Sequence, residues 1–528
     1  MKKTGRLLTG VSLLTVAAVV SLGGNASAST ARAATYLPPH GDLSPKTKSG
    51  IWKDVNGPIP ATNPDALLLL TDGRVMVHSA CTPNWYFLTP DKKGRYETGA
   101  WSTDAASMPS GYAPYLFASQ ILPDGRLMVN GGEYNKNCST KAWTTLGALY
   151  DPAADSWTSV SPPSGWGFIG NAQSTILPNG TYMLADCCDN PGNAALASIS
   201  GTRVTWTKQA TVSCGGGLPC NDNEGWTPLP DGDLLTVDVW NTGANYNSVE
   251  VYDTSKGTWS SAAHTAELLS DSTFEIGPAV LRPDGTVIQF GANAGGHNDL
   301  YTVSSGAWKT GPSFPVVGSV RPTCYHAPAA LLPDGNVLVQ ASPMFAAPSH
   351  FFEFSVSAKG QMALTQVNEP AQAPNTASRY GSFLELPTGQ VLWVNDATLG
   401  SAEVATYTPK GTARTSWLPV VASVASTLKI GSTGNAISGT NFNGFSQGAS
   451  YGSDRQMSTN YPLVRITNNK SGDVCFGRSY NFSTMGVWTS GTTNATFDIP
   501  KSCKAGAGAL QVIVNGLASA GVSVKLGK

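Results

Sequence analysis

The chain has 528 residues, of which 41% are hydrophobic and 13% charged, with 57 glycines, 14 tryptophans and a formal net charge of −1. This length exceeds one ordinary domain, and the glycine-rich, charge-poor composition favours many short strands joined by tight turns. Since no Lys/Arg-rich run follows the N-terminus, a nucleic acid is not expected as a partner.

Residues 1–34 have the pattern of an export signal. A positive start at Lys2, Lys3 and Arg6 precedes an apolar run from Leu7 to Leu22 and a small-residue cleavage site at Ala26-Ser27-Ala28 or Ala31-Arg32-Ala33. A membrane anchor is the alternative, but the run is short and ends in small residues. No later stretch is long and apolar enough to span a membrane. The sequence therefore predicts a secreted, extracellular protein without a membrane span.

A hairpin phrase recurs seven times after residue 60. Each copy is an apolar run, a tight turn and a second apolar run, and the successive spacings lie between about 50 and 55 residues. Asp-Gly or Asn-Gly between two apolar runs is a strong signal for a tight hairpin. The turn residues are Asp72, Asp124, Asn179, Asp231, Asp284, Asp334 and Thr388.

A Tyr-Trp pair separated by seven positions follows several of the hairpins, as in Tyr150/Trp157, Tyr252/Trp259 and Tyr301/Trp308. Each pair indicates a third and a fourth strand, while Trp206 and Trp417 fit the fourth-strand role less regularly. Four strands in each period make one propeller blade. Seven equally spaced units over residues 61–420 therefore predict a closed seven-bladed β-propeller and an all-β fold class.

This layout resembles the kelch repeat family, including its Tyr-Asp…Trp tail and, at Gly131-Gly132, its double glycine. Residues 425–528 have alternating strand patterns without the propeller period. They look like the immunoglobulin-like "early set" β-sandwich that follows the propeller in galactose oxidase and glyoxal oxidase relatives. Residues 35–60 form a short N-terminal extension in which Trp52 either adds a strand to the ring or lies across it.

Nine cysteines in an exported chain predict disulfides and one remaining thiol. Cys214 and Cys220 could close one loop, and Cys475 and Cys503 could pair within the C-terminal domain. The connectivity of the others stays open, and the adjacent pair is expected to be structural rather than metal-binding. These others are Cys81, Cys138, Cys187, Cys188 and Cys324.

In a kelch blade, the loop before the first strand and the loop after the second open on the same face, where loops carry function. That face is rich in carboxylates, amides and aromatic rings, which suit the apolar face and hydroxylated rim of a sugar. The binding candidates are Tyr112, Tyr115, Glu133, Tyr134, Trp226, Trp240, Asn241, Arg379 and Tyr380. The catalytic candidates are Asp222, Glu224, Asp238, Tyr325 and His326.

The resemblance to galactose oxidase and glyoxal oxidase implies one copper ion, an axial Tyr followed by a His ligand, a second His from the C-terminal domain, and a Tyr cross-linked to a Cys. Tyr325-His326 matches the Tyr-His pair and is the candidate metal site. Leu116 stands where the cross-linked Tyr belongs, and Tyr115, one place off, is expected on the opposite strand face. Tyr480 and Asn481 stand where the second His is expected.

Copper is therefore possible but not favoured as a cofactor, since copper prefers several nitrogen donors. His78, His297 or His350 could complete the set if they converged on His326. The sequence assigns no oligomeric state.

The favoured function is binding of a glycan or another extracellular polymer through the loop face. The alternatives are a galactose/glyoxal oxidase-like copper oxidase with an altered site, a carboxylate-based hydrolase or lyase on the same face, and a matrix scaffold.

Overall fold

The computed structural model describes residues 50–188, 192–209, 221–396, 402–452 and 455–528. Regular structure in these ranges is almost entirely β-strand, and the predicted all-β class is confirmed. Helical structure there is confined to 3-10 turns at Ala373–Asn375, Ser378–Tyr380 and Thr415–Trp417. None of the described helices is long and apolar enough to cross a membrane. The predicted signal peptide and the Cys214/Cys220 pair lie outside the described residues.

Seven antiparallel sheets form the predicted propeller, each with four strands of one blade. Blades 1 to 3 comprise Pro64–Leu69, Val75–Ser79, Trp85–Thr89 and Ala100–Ser102; Ala118–Ile121, Leu127–Asn130, Gly147–Asp151 and Ser156–Val160; and Ser174–Ile176, Tyr182–Ala185, Ala194–Ser200 and Arg203–Lys208. Blades 4 and 5 comprise Thr227–Pro228, Leu234–Thr242, Asn247–Asp253 and Thr258–His264; and Ala279–Leu281, Thr286–Phe290, Asn298–Thr302 and Ala307–Thr310. Blades 6 and 7 comprise Pro328–Leu331, Val337–Ala341, His350–Val356 and Met362–Gln366; and Gly381–Glu385, Val391–Asn395, Val404–Thr408 and Ile51–Asp54.

The predicted hairpin turns join the first two strands of every blade. The glycine of each turn has a positive φ, between 78° and 94°, which is the conformation that makes glycine necessary there. The predicted Tyr-Trp pairs are cross-strand neighbours: Tyr150 faces Trp157 with ring centroids 5.0 Å apart, and Tyr252 faces Trp259 at 5.2 Å. The aromatic pair therefore links the outer two strands of a blade.

The ring is closed by the N-terminal extension. Ile51–Asp54 pairs with Val404–Thr408 as the outer strand of blade 7, and Trp52 lies opposite Tyr407 with ring centroids 5.0 Å apart. Trp52 thus takes the place that the repeat suggested for Trp417, which lies in a 3-10 turn. The first of the two alternatives for Trp52 is correct, because the outer edge of blade 7 is filled from the other end of the chain.

The C-terminal domain is one curled nine-stranded sheet, with Val420–Val424 at one end of the strand order and Thr427–Lys429 at the other. Its immunoglobulin-like assignment remains a prediction. The strands are Val420–Val424, Thr427–Lys429, Asn435–Thr440, Leu463–Asn468, Val474–Tyr480, Thr493–Asp498, Gly506–Val514, Leu517–Ala518 and Val522–Gly527. Buried residues of this sheet, such as Val464, and of the propeller, such as Leu68, belong to one continuous core.

A hairpin of the C-terminal domain, named here the axial hairpin, leaves this sheet and enters the centre of the propeller. It consists of Gly448–Tyr451 and Arg455–Ser458. Gly448–Tyr451 pairs antiparallel with the innermost strand of blade 6, Pro328–Leu331. The Gln456 side chain is bonded by the Ser119 amide and the Ser174 hydroxyl of blades 2 and 3. The hairpin therefore fills the propeller channel and is held by several blades at once.

Three disulfides lie in the described residues. Cys475–Cys503 is bonded as predicted, Cys81 pairs with Cys138, and the neighbours Cys187 and Cys188 are bonded to each other. Cys324 is a buried free thiol, so an odd cysteine remains as expected. Such a disulfide content is consistent with an extracellular protein.

Candidate functional site

The candidate site lies where the tip of the axial hairpin meets the loops of the propeller. We name as the channel mouth the residues Glu275, Tyr325, His326, Tyr451 and Arg455. The carbonyl of Gly452 at the hairpin tip would be 2.7 Å from a Cβ added to Gly225, so the blade 4 loop approaches the tip closely. Only a glycine permits that approach. Two segments more than 200 residues apart are thus brought together.

Tyr325 and His326 occupy the turn that leads into the first strand of blade 6. The imidazole Nε2 of His326 lies 2.5 Å from Glu275 Oε2, and the Tyr325 hydroxyl lies 3.5 Å from Glu275 Oε1. One carboxylate therefore contacts both members of the Tyr-His pair. The His326 side chain is 15% exposed and that of Glu275 is 12% exposed, so both are reachable from solvent.

The axial hairpin adds an arginine and a tyrosine to this pair. The Tyr451 ring is stacked on the His326 imidazole, with ring centroids 5.9 Å apart. The Arg455 guanidinium lies 4.2 Å from the centroid of the same Tyr451 ring. Arg455 Nη2 donates to the Tyr115 hydroxyl at 3.2 Å, and Nη1 donates to Ser382 Oγ at 3.0 Å. A buried cation thus connects blades 2 and 7 at the axis.

Tyr115 faces the axis, which differs from the orientation expected from strand alternation. Leu116 has a φ of 55°, and this left-handed residue separates the short strand Pro114–Tyr115 from the blade 2 strand Ala118–Ile121. The two-residue alternation is therefore not continuous across residue 116. Tyr115 instead pairs with Tyr134 in a small ribbon, their ring centroids 5.8 Å apart.

Three charged groups extend the channel mouth towards blades 2 and 3. Lys141 Nζ lies 2.6 Å from Glu133 Oε1. Burial raises the pKa of Asp222 to about 6; the negative charge of Glu275 adds to the rise, whereas the Lys141 ammonium opposes it. Asp222 therefore gains and loses a proton near neutral pH, unlike an ordinary aspartate.

Arg379 and Tyr380 flank the channel mouth from the blade 7 side. The Arg379 guanidinium lies 4.6 Å from the Tyr380 ring centroid and 5.3 Å from that of Phe345, whose side chain is 44% exposed. Phe345 also contacts Tyr325 at 4.2 Å between ring centroids. The backbone carbonyl of Arg379 accepts the Tyr451 hydroxyl at 2.6 Å. An aromatic and cationic edge therefore continues from the axial hairpin.

The backbone around the channel mouth is strained at several non-glycine residues. Phe274, His326 and Met344 have φ values of 65°, 42° and 32°, and each lies in a loop on this face. Such conformations cost of order 1 kcal/mol or more each, and they concentrate at functional sites. The strain supports a functional role for this face.

Other candidates from the sequence lie elsewhere. Tyr112 is buried and donates to the Gly131 carbonyl, and Trp226 is buried against Trp259. Both serve the packing of their blades because their side chains are not accessible to a ligand. Trp240 and Asn241 lie near the end of the second strand of blade 4, and the Trp240 ring is stacked on Phe274 at 4.0 Å.

Glu224 and Asp238 are both fully buried inside blade 4. Burial and the neighbouring carboxyl of Asp238 raise the pKa of Glu224 well above its ordinary value. Asp238 Oδ1 accepts hydrogen bonds from the backbone amides of Trp240 and Asn241, so this carboxylate holds the irregular end of the second strand of blade 4. The catalytic roles expected for these two acids require an access that the packing does not provide.

Comparisons with known proteins agree with this architecture. No protein-family model matches the chain. It is 32% identical over 137 residues to Kelch-like protein terF of Aspergillus terreus, an alignment that spans 25% of this chain and 26% of that relative. A solved fungal alcohol oxidase of the AA5 family, in complex with copper, has a TM-score of 0.51 and 14% identity, with 91% of this chain and all of that chain covered.

The chain folds as a seven-bladed β-propeller, and over the aligned 137 residues it is similar to a kelch-like protein. At 14% identity the solved structure supports the fold alone, and the chain aligns with about a quarter of the curated kelch relative. Whether this chain could bind copper must therefore be judged from its own residues.

The donor set at the channel mouth does not fit copper. The other imidazoles considered as copper ligands contact side chains elsewhere: His78 contacts Asp65, His297 contacts Ser313 and His350 contacts Glu369. In the described ranges, the single group of three His, Cys, Asp or Glu side chains close enough to share a metal is Cys187, Cys188 and Asp222. Its two cysteines form a disulfide and are not thiolates.

The C-terminal contribution also comes from a different segment than expected. The backbone amide of Phe482, next to Tyr480 and Asn481, donates to the Pro123 carbonyl at a hairpin turn of blade 2. This segment contacts the turn end of the propeller, whereas the axial hairpin reaches the channel mouth. The C-terminal residues there are an arginine and a tyrosine, and the Arg455 cation opposes a second cation at the same place.

Sequence reasoning missed the contributions of Tyr451, Arg455 and Lys141. The phrase from Ala449 to Ser458 has Ala449 and Tyr451 at alternate positions before Gly452 and has Met457 after it, which is a weak signal of a strand hairpin. A hairpin of this kind is stable only when other strands surround it. The sequence from Ala449 to Ser458 therefore does not show which blades of the propeller surround the hairpin.

Proposed function

We propose that this protein is secreted and binds a glycan, or another hydroxyl-rich extracellular polymer, at the channel mouth. The observation that carries the proposal is the convergence of accessible aromatic rings with carboxylate, imidazole and guanidinium groups around the axial hairpin; the accessible rings are the exposed Phe345 and the half-buried Tyr115, Tyr134 and Tyr380. Sugars have apolar ring faces and hydroxyl edges, and a site of this mixed character complements both. Charged partners such as Glu275 and Arg379 form stronger hydrogen bonds to hydroxyls than neutral groups do.

The channel mouth lacks the donor set that an oxidase reaction would need. One imidazole, His326, is present there, and its Nε2 is engaged by Glu275. Copper prefers several nitrogen donors, and the Arg455 guanidinium holds the axial position with hydrogen bonds to two blades. Binding without copper chemistry therefore accounts for the side chains better than an oxidase does.

Hydrolysis or elimination on the same bound polymer is a second candidate, which one observation favours. The pKa of Asp222 is raised to about 6, so this carboxyl can hold a proton near neutral pH and act as a general acid. Glu275, whose charge acts on Asp222, offers a second carboxylate on the same face. Paired carboxyls with different environments are the usual device of such reactions.

The test is a binding screen of the purified full-length protein against plant, fungal and bacterial polysaccharides, with metal analysis and a peroxide-release assay in parallel. We expect saturable binding by the wild type. The His326→Ala and Arg379→Ala variants should raise Kd about tenfold or more, because each removes a charged hydrogen-bonding group.

The matched control is His264→Ala, since His264 is an imidazole stacked on Tyr246 in blade 4, and its Kd should equal that of the wild type. Stoichiometric copper with peroxide release from alcohols, aldehydes or sugars would overturn the proposal. Release of reducing ends or unsaturated sugars by the wild type, lost in Asp222→Asn, would establish the second function.

A further inference from the structure

A disulfide between neighbouring residues lies beside the channel mouth. Cys187 and Cys188 follow the second strand of blade 3 and are bonded to each other. Cys187 is buried, and Cys188 is partly exposed with a φ of 72°. An oxygen of the Asp222 carboxylate lies within 4.8 Å of both sulfur atoms. The disulfide is thus part of the same surface as the titratable groups of the site.

This disulfide has little capacity to stabilise the fold as a cross-link. A disulfide acts mainly by restricting the unfolded chain, and the effect grows with the number of residues in the closed loop. Cys187 and Cys188 close no loop, whereas Cys475 and Cys503 are separated by 28 positions. The neighbouring pair therefore requires a local explanation.

Aromatic rings lie beside the disulfide, of which Cys188 is the partly exposed half. A Cβ added to Gly170 would lie 3.0 Å from Cys187 Sγ and 3.6 Å from Cδ1 of Trp143, so the sulfur and the indole flank the same point. Trp143 is 38% exposed and its ring centroid lies 4.8 Å from that of Phe168. We name Trp143, Phe168, Cys187 and Cys188 the sulfur–aromatic platform.

Charged groups border the platform. Lys141 Nζ lies 5.2 Å from the Trp143 ring centroid and 2.6 Å from Glu133 Oε1. Asp222 lies beside the two sulfur atoms, and the charges of Glu275 and Lys141 act on its carboxyl group. An apolar surface with an exposed indole, bordered by carboxylates and an ammonium group, is the combination that receives a sugar ring on its C–H face.

We infer that the sulfur–aromatic platform is a subsite for one sugar ring of the bound polymer, with Asp222, Lys141 and Glu133 directed at its hydroxyls. This inference rests on the proposed glycan-binding function and specifies where the polymer runs: from the channel mouth across blades 3 and 2. The bond to the buried Cys187 holds the partly exposed Cys188 in one position, so no ordering of a free thiol side chain is required on binding.

The test compares two paired-cysteine variants of the full-length protein. Cys187→Ser/Cys188→Ser removes the platform disulfide with little change in side-chain size, and we expect Kd for the polysaccharide to rise about fivefold or more with a nearly unchanged Tm. Cys475→Ser/Cys503→Ser removes the disulfide of the C-terminal domain and should lower Tm while leaving Kd unchanged. The first variant should therefore change Kd but not Tm, and the second should change Tm but not Kd.

Trp143→Ala provides a second test, and its matched control is Tyr246→Ala. The two aromatic side chains have nearly equal exposure, 38% and 36%, but Tyr246 lies in blade 4 against His264. We expect a rise in Kd of about tenfold for Trp143→Ala, since loss of an aromatic stacking surface has an effect of this order, and no change for the control.

Wild-type binding with unchanged Kd in both Trp143→Ala and the Cys187/Cys188 double variant would overturn the subsite while leaving the proposed function intact. Absence of any polysaccharide binding by the wild type would overturn the proposed function itself. Oligosaccharides of decreasing length test the subsite separately from the proposed function. Chains too short to reach blade 2 should bind to the wild type and to Trp143→Ala with equal Kd, because they do not contact the subsite.

Discussion

Two segments of the C-terminal domain contact the propeller, and they do so in different ways. The segment around Phe482 and Met485 binds through backbone amides, which donate to the carbonyls of Pro123 and Pro178 at the hairpin turns of blades 2 and 3. The axial hairpin binds through side chains such as Gln456, whose partners lie on inner strands. The first contact combines these amides with the Thr484 hydroxyl and buried apolar side chains, whereas the second adds polar side-chain hydrogen bonds to its strand pairing with blade 6.

The difference separates attachment from function. Phe482 and Met485 are buried apolar side chains that secure the domain at the turn end of the propeller. The axial hairpin buries polar groups inside the protein, where each needs a hydrogen-bond partner. It also places Tyr451 and Arg455 at the channel mouth. Variants in the two segments should therefore alter different measured quantities.

Arg455→Ala is expected to have the largest effect, because it removes a nearly buried cation that donates to Ser382 and Tyr115. The free energy of unfolding should fall by about 3–4 kcal/mol, since buried polar partners are left without their donor. Polysaccharide binding should also be lost. Urea unfolding and a titration of the same samples measure both effects.

The control is Arg478→Ala, which removes a partly exposed guanidinium paired with Asp498 at 2.9 Å in the C-terminal sheet. An exposed pair of this kind contributes about 1 kcal/mol or less. A full-affinity Arg455→Ala protein would show that the axial hairpin supports the fold without organising the site.

Phe482→Ala should lower stability and leave the site intact. The ring is buried and stacked on Tyr461 with centroids 6.1 Å apart, and truncation of a buried Phe typically costs about 3 kcal/mol or more. Urea unfolding should show this loss, while Kd for the polysaccharide should match that of the wild type. A raised Kd at unchanged stability would contradict the separation of attachment and function.

The parts of the fold that depend on local sequence could be predicted. The turn at Asp124-Gly125 needs only a positive-φ glycine between two apolar runs, and the Tyr150–Trp157 pair needs only a third and a fourth strand in sequence. These features repeat along the chain, and the repeat itself predicts the ring. The interactions that stabilise these turns and aromatic pairs lie within one blade.

The site could be predicted only in part, since it depends on contacts between distant segments. Tyr325-His326 was found from its position ahead of a hairpin, but Tyr451 pairs with Pro328 across more than 120 residues, and no local pattern sets that register. The orientation of Tyr115 depends on the left-handed conformation of Leu116, a residue type that rarely adopts it. Long-range pairing and backbone strain therefore separate the predictable part from the rest.

Glu385 gives the smallest and most specific test of the joint between the axial hairpin and the rest of the C-terminal domain. Its buried carboxylate accepts the Thr459 hydroxyl at 2.5 Å and the Asn515 side-chain amide at 3.3 Å. Burial raises the pKa of Glu385 from 4.5 to about 7, and these two hydrogen bonds oppose the rise without cancelling it. The folded protein therefore binds this proton more tightly than the unfolded chain does.

The contribution of Glu385 to stability is consequently complete below pH about 4.5 and is lost as the pH rises through about 7. The pKa difference corresponds to about 3 kcal/mol at most. Glu385→Gln carries no titrating proton, so the difference in unfolding free energy between wild type and variant should shift by about 2–3 kcal/mol in favour of the variant between pH 5 and pH 8. Urea titrations of both proteins at four pH values measure this difference, and the other buried acids cancel because both proteins contain them. A pH-independent difference would mean that the Glu385 carboxyl is solvated in the folded state, and that the base of the axial hairpin opens to water rather than packing against blade 7.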